Sequence, residues 1–407
     1  MPYQDEASGR VAYEKLMKSC LVEPKALGIL ALMMLAFGNT CSGQAVPKKR
    51  SPAVEEYQLP DSYFPFEALL WGDRLTLMKG AEANLKFMAS IQGQEAYRCF
   101  AEEGISQARV QQSLKRFEEL LRTASSSEEL ALLLHREFVL FRSRGRDGQG
   151  TVRFTGYFQP VFKASRERTN EYIYPIYRLP ADFERWQKPH PTRVALEGYD
   201  GRGTPNSSLR GRELAYLRTR YEVFMIQLQG SAILELADGV RMAVGFAAGT
   251  DYRFHGISKE FLQTNQVAWY DLDRFFDKRP ALLNEVMSRN NRFVFFKENA
   301  QPLPIGSLGL PVMPERSIAT DKVMLPPGAV GIIRAALPQD TPRGKMTVVL
   351  RTRFVLDQDT GSAIKGPGRV DVFMGTGSEA QRKASHLLSD GELYYLLLRT
   401  WREEQKS

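Results

Sequence analysis

Two aspartates in one glycine-rich stretch are the residues best placed to do chemistry. The stretch reads Asp357-Gln358-Asp359-Thr360-Gly361-Ser362-Ala363-Ile364-Lys365-Gly366 and continues, after Pro367-Gly368, as Arg369-Val370-Asp371-Val372-Phe373-Met374-Gly375-Thr376-Gly377. Asp371 lies in a strand-like run between two valines. Side chains alternate along a strand, so valines that face a core leave Asp371 facing a surface or groove. A carboxyl there, beside Phe373, is expected to be partly desolvated, which raises its pKa. An acid that keeps its proton near neutral pH is what general-acid catalysis needs. Asp359 stands at a strand end before a glycine turn. Two carboxylates also fit a glycoside hydrolase that divides the acid and base roles. On this segment alone, two loop aspartates capping turns explain the pattern as well.

The rest of the chain narrows the chemistry by exclusion. His135, His190, His255 and His386 are far apart, with no HExxH pattern and no Cys/His cluster, so no metal is expected. There is no P-loop, dinucleotide fingerprint or serine nucleophile elbow, and no cofactor is expected. The net charge of +8 favours an anionic partner. Lys and Arg are scattered, however, and the longest basic run is Lys48-Lys49-Arg50, so nucleic acid is not the expected partner. Cys20, Cys41 and Cys99 are an odd and sparse set, against a disulfide framework, and Cys99 is expected as a small core residue.

The elements that must position the aspartates come in two kinds. Phe66 to Arg144 has helical periodicity, clearest at Val110–Thr123, with a second helix expected from Ser127 to Phe141. Gly145 to Gly150 is a turn-rich hinge. From Thr151 the period changes to two. Strands are expected at Val152–Gly156, Tyr172–Tyr177, Val223–Leu228, Ala232–Leu236, Val240–Gly245, Arg292–Lys297, Val330–Ala335 and Met346–Leu356. Asp238-Gly239 marks a hairpin, and Phe254 to Asn290 returns to helical character. Helices, then many short strands, imply an α+β chain dominated by barrel-like sheets. At the amino terminus, Ala26 to Phe37 is an apolar run of signal-peptide length with Lys18 and Lys25 before it, and export is expected. Gly38-Asn39-Thr40-Cys41 resembles a lipoprotein processing site with Gly38 in place of the usual leucine, so lipid attachment at Cys41 is an open expectation. Residues 42–56 read as a tether.

In ordered blocks from Phe154 to Leu398, the sequence resembles the membrane-bound lytic murein transglycosylase A family. The blocks are Phe154-Thr155-Gly156-Tyr157-Phe158-Gln159-Pro160, Tyr174-Pro175-Ile176-Tyr177-Arg178, Pro191-Thr192-Arg193, Arg212-Glu213-Leu214-Ala215, Phe224-Met225-Ile226-Gln227-Leu228-Gln229-Gly230-Ser231, Asn291-Arg292-Phe293-Val294-Phe295-Phe296, Arg316-Ser317-Ile318-Ala319-Thr320-Asp321, Pro326-Pro327-Gly328 and the Asp359–Gly377 stretch. Ser362, Ala232 and the loop Phe246–Asp251 depart from the family pattern. The resemblance implies a mainly β (α+β) fold. A double-psi β-barrel catalytic domain with helices would span 57–159 and 263–407, with a helical segment at its amino-terminal end and a second β domain inserted at 160–262. It implies a lytic transglycosylase in which Asp371 is the single acid/base, Asp359 is a second groove aspartate, and Thr155, Tyr157, Gln229, Gly230 and Lys365 line the sugar-binding groove. Gly156, Ser231 and Phe373, within the matching blocks, are expected there too. The implied partner is the peptidoglycan glycan strand, met by a monomer in the periplasm or on the periplasmic face of an outer membrane. Alternatives are a two-carboxylate glycoside hydrolase and a non-catalytic wall-binding protein.

Overall fold

The computed structural model describes residues 52–57, 70–98, 100, 104–300, 303–342 and 344–400. The export segment, most of the tether and all three cysteines lie outside the described residues. Strand β1 (Val54–Tyr57) precedes helices α1 (Leu70–Ala89), α2 (Ile91–Arg98), α3 (Gln107–Thr123) and α4 (Ser127–Glu137). Next come β2 (Phe138–Ser143), β3 (Val152–Gln159), β4 (Val161–Ala164), β5 (Tyr174–Tyr177), α5 (Arg193–Glu197), β6 (Glu213–Leu217), α6 (Arg220–Gln229), β7 (Ser231–Leu236) and β8 (Arg241–Gly249). Short helices α7 (Lys259–Thr264), α8 (Leu272–Asp277) and α9 (Pro280–Ser288) lead to β9 (Val294–Glu298). The chain continues through β10 (Ser317–Ala319), β11 (Val330–Asp340), β12 (Met346–Asp359), β13 (Arg369–Thr376), α10 (Ser378–His386) and β14 (Leu388–Leu398).

Eight strands form one sheet in the order β1-β2-β14-β11-β12-β10-β13-β3, and β14 also pairs with β3. That last pairing closes six of them, β14-β11-β12-β10-β13-β3, into a barrel. Two of its pairings are parallel, β10 with β12 and β13 with β3. A four-stranded sheet, β4-β7-β8-β9, and the β5–β6 pair form the other layers. The barrel strands are apolar on both faces where helices cover them: Leu393 to Leu397 of β14 are all buried. Helix α3 packs against β14 and buries Val110, Leu114, Phe117 and Leu121 on one side, the one-sided spacing that its sequence shows. Arg109 caps the strand by donating two hydrogen bonds to Leu398 O, at 3.0 and 2.7 Å. Phe117 meets Phe354 at 5.4 Å, and its truncation to alanine costs about 3–5 kcal/mol.

Two elements differ from the sequence expectation. Residues 223–228, expected as a strand, belong to helix α6. Thr219 caps it in a reciprocal box with Glu222, and Gly230 ends it in the left-handed conformation at φ 77°. Tyr221, Val223, Phe224, Met225 and Ile226 are all buried, so no polar face betrays the helical period. The helix expected to reach Phe141 stops at Glu137. Phe138 to Ser143 instead forms β2, because β14 and β1 flank it and take up its backbone groups.

A buried charged cluster sits inside the barrel wall. Asp357 is fully buried and accepts hydrogen bonds from Lys322, from Thr320 and, at 2.6 Å, from the Tyr395 hydroxyl. Burial pushes its carboxyl up, and the Lys322 ammonium opposes that shift. Removing one partner of such a pair strands the other charge. Lys322→Met is therefore expected to lose about 3–5 kcal/mol of stability in urea unfolding. Adding Asp357→Asn should recover part of that loss, since no charge is then unpaired and the amide oxygen still accepts from Tyr395. A single variant as stable as the parent would contradict a charged pair here.

Candidate active site

The barrel brings one row of side chains together from strands distant in sequence. Thr155 on β3 is the register partner of Asp371 on β13, and Asp371 is the partner of Ala319 on β10. Ala319 in turn pairs with Asp359 on β12. The two aspartates thus flank one strand, about 9–10 Å apart at the backbone on ordinary strand spacing. On the other side, Leu388 of β14 stands opposite Thr155, with its side chain 69% exposed.

Val370 and Val372 are completely buried, so alternation turns Asp371 the other way, as expected, and its side chain is 19% exposed. Its surroundings differ from an aromatic-flanked acid. Oδ1 accepts from the Thr155 hydroxyl at 2.5 Å and from Arg369 Nε at 2.9 Å. Arg369 Nη2 also donates to Thr155 Oγ1 at 2.8 Å, which closes a three-residue ring. Oδ2 takes no hydrogen bond from the described residues, and the side chain is partly exposed. Phe373, two residues on, is buried beneath Tyr157, ring centroids 5.2 Å apart, and supports that ring.

Asp359 is held quite differently. Its Oδ1 accepts the Ser307 and Thr360 amides, both at 2.8 Å, and its Oδ2 accepts the Tyr157 hydroxyl at 2.9 Å. β10 and β13 lie between β12 and β3 in the sheet, so this bond joins strands that are not neighbours. Burial raises the Asp359 carboxyl above its ordinary value, and the Ser307, Tyr157 and Thr360 hydrogen bonds offset part of the rise. Burial and the neighbouring carboxylates push the Tyr157 phenol well above its usual value, so it stays protonated and donates.

The other expected residues divide. Gln229 Oε1 accepts the Phe158 amide at 3.0 Å, which brings the end of α6 to β3, with Gly230 and Ser231 following directly. Lys365 is exposed on the loop between Asp359 and β13. Gly156 was also expected to line the groove. It points away from Asp371, toward α10, where an added Cβ would come within 2.6 Å of the Ala384 Cα. Its missing side chain serves helix packing. Arg369 was part of the quoted stretch but had no role assigned. The signal was its place two residues before Asp371, on the same strand face. The Ser307 amide had no signal, because it arrives from a loop. Among the described residues, no group of three or more His, Cys, Asp or Glu side chains is placed to hold a metal ion.

Two family models match the chain. Residues 153–297 match the family model described as the MltA specific insert domain, and residues 316–397 match the 3D domain. The chain is 28% identical over 263 residues to the membrane-bound lytic murein transglycosylase A of Escherichia coli K12, covering 63% of this chain and 68% of that one. It is 29% identical over 261 residues to the protein of that name from Vibrio cholerae, covering 62% and 67%. The solved structure of E. coli MltA with bound chitohexaose superposes with a TM-score of 0.65 at 23% identity, covering 87% of this chain and 96% of that one. That of a membrane-bound lytic murein transglycosylase from Agrobacterium tumefaciens gives 0.64 at 24%, covering 85% and 98%. At these identities the structural likeness speaks to the fold.

The Asp359–Tyr157 bond yields a pH-dependent prediction. With the folded value raised, charge on Asp359 costs folding free energy that is absent below the unfolded carboxylate range and appears as pH rises through the folded value. Tyr157 offsets that cost only when Asp359 is ionised. Tyr157→Phe, which keeps the contact with Phe373, should therefore lose more stability near about pH 7 than near about pH 4, by about 1.5–3 kcal/mol. Urea unfolding at the two pH values checks this, and equal losses would mean that Tyr157 does not serve the carboxylate.

Proposed function

The chain belongs to the membrane-bound lytic murein transglycosylase A family, and on that footing we propose that it cleaves the β-1,4 bond between N-acetylmuramic acid and N-acetylglucosamine in peptidoglycan, with Asp371 as its one acid/base. The observation that carries this reading is the asymmetry of the two carboxyls. Asp371 has one oxygen fixed and one open, while both Asp359 oxygens are engaged. In the proposed reaction, Oδ2 of Asp371 protonates the glycosidic oxygen as the bond to C1 of the muramyl residue breaks. An oxocarbenium-like centre develops at C1. The ionised Oδ2 then accepts the proton of the C6 hydroxyl as that oxygen closes on C1. The product is a 1,6-anhydromuramyl end, and no water is consumed. The nucleophile belongs to the ring being cleaved, so proximity supplies much of the acceleration. Thr155 and Arg369 hold Oδ1, which points Oδ2 at the bond. Asp359 locks Tyr157 in place. Gln229, Gly230, Ser231 and Lys365 are assigned to the sugar-binding groove.

A hydrolase that divides the work between both aspartates needs a second carboxylate with an oxygen free for water or for C1. The engagement of both Asp359 oxygens disfavours it. The reading also takes the barrel as double-psi and takes the second sheet as the core of an inserted domain. Since β9 pairs with β8, the return crossing is set after Glu298 instead of at residue 262. Export, attachment through Cys41 on the periplasmic side of an outer membrane, and action as a monomer complete the proposal. Among the described residues no helix is long and apolar enough to cross a membrane.

Digestion of purified sacculi followed by mass spectrometry tests the chemistry. Wild-type protein should release muropeptides with anhydro ends, and Asp371→Asn should lower the rate about 10²–10⁴-fold with unchanged thermal unfolding. Products one water heavier would identify a hydrolase. Sacculus binding with no released product would identify a binding protein.

A further inference from the structure

Arg369 does more in this geometry than the proposed reaction asks of it. Its Nε and Nη2 hold Asp371 and Thr155, and its Nη1 makes no hydrogen bond among the described residues. The side chain is 36% exposed. Arg369 is also the register partner of Arg153, and Arg153 that of Asp390. Arg153 and Arg146 both pair with Asp390, at 2.6 and 2.8 Å, with exposures of 36% and 44%. Three guanidinium groups thus face two acidic side chains, Asp371 and Asp390, and cations outnumber acids in the patch. It lies one side-chain step along the strands from the acid. A guanidinium is a planar fork suited to carboxylates, and here two of its nitrogens are bonded while the third has no hydrogen-bond partner among the described residues.

This arrangement rests on the reading of Asp371 given above, and it names what the site would read in the substrate. N-acetylmuramic acid carries a lactyl ether at C3 of the ring whose C1 is cleaved. Its carboxyl is either free or extended by a peptide that carries carboxylates of its own. We propose that Arg369, with Arg153 behind it, forms a carboxylate-binding site that takes this lactyl or peptide carboxylate and makes Arg369 a specificity-determining residue. Nη1 takes the anion while Nε stays on Asp371. The charged arm of the sugar is then held in fixed relation to the acid that cleaves the same ring. N-acetylglucosamine, which lacks the arm, gains nothing from the site.

Four substrates separate the possibilities: glycan strands stripped of peptide, peptide-bearing strands, and each of these with its carboxylates converted to methylamides. Rates of anhydro-end formation are read as kcat/KM. Wild-type protein should prefer a charged strand to its neutralised form by about 10-fold or more, mainly through KM, as for a charged hydrogen bond. If the stripped strands carry the preference, the lactyl carboxylate is the ligand. If only the peptide-bearing strands do, the peptide is. Arg369→Gln should bring the charged-to-neutral ratio to about one, and Arg369→Lys should keep part of it. The ratio is taken within each variant, so partial misfolding does not mimic the result. A ratio of one in the wild type overturns the proposal. So does an unchanged ratio in Arg369→Gln with kcat lowered on all substrates, which would mark Arg369 as a support for Asp371 alone. Absence of anhydro product from every substrate removes the lytic reading itself and this site with it.

Discussion

Strands β3 and β13 are far apart in the chain, and their parallel pairing is the contact on which the site depends. It sets Thr155 beside Asp371 and Tyr157 beside Phe373. From that register the differing hydrogen bonds of the two aspartates follow. Thr155 is within reach of Asp371 Oδ1 only because the strands lie side by side at this offset, and Tyr157 meets Asp359 past both β13 and β10. A slip of one residue would turn Thr155 and Tyr157 to the opposite face and put Gly156 beside the acid. The register is guarded from that other face. Gly156 lies under α10, where even a methyl group would meet the Ala384 backbone.

The same barrel wall carries a second, hidden constraint. Asp357 and Asp359 are two residues apart on β12, and Thr320 and Lys322 come from the segment after β10. Lys322 neutralises Asp357 and also lowers the cost of charge on Asp359. Thr320 accepts from Thr360 through its backbone oxygen while its hydroxyl donates to Asp357, so the turn beyond Asp359 is tied to the buried cluster. A polar network of this kind is costly if half satisfied and rigid if complete. Here it fixes the end of β12, and with it the aspartate that holds Tyr157.

Much of this was legible in the residues, for reasons that can be stated. The outward turn of Asp371 follows from two valines and a period of two, because both neighbours are buried. The shift from helices to strands near residue 145 follows from the change of period. What escaped was decided by contacts between distant segments. Helix α6 has buried apolar residues on every side, with Arg220, Glu222, Gln227 and Gln229 scattered among them, so the period that marks a surface helix is missing, and only the Thr219–Glu222 box betrays it. Phe138 to Ser143 reads as well for a helix as for a strand until β14 lies beside it. The partner of Asp371 was expected to be Phe373, the nearest aromatic. Phe373 proved to be a floor for Tyr157, and the contact at the carboxyl comes from Arg369.

Difference in hydrogen bonding separates two carboxyls that look equivalent in sequence. A group that must give and then recover a proton needs one oxygen fixed, so that the other has a direction, and one oxygen free. Asp371 has this division, with Thr155 and Arg369 on the same atom. A group whose two oxygens are both engaged, by two amides and a phenol, cannot turn toward a substrate without giving up bonds that hold its charge in a buried place. Asp359 is in that position. Its proper effect is on Tyr157, whose ring it pins over Phe373 at the edge of the row that contains the acid. The two residues therefore divide the work as reactant and anchor. That division needs only one titrating oxygen at the bond, which is what a reaction with an internal nucleophile requires.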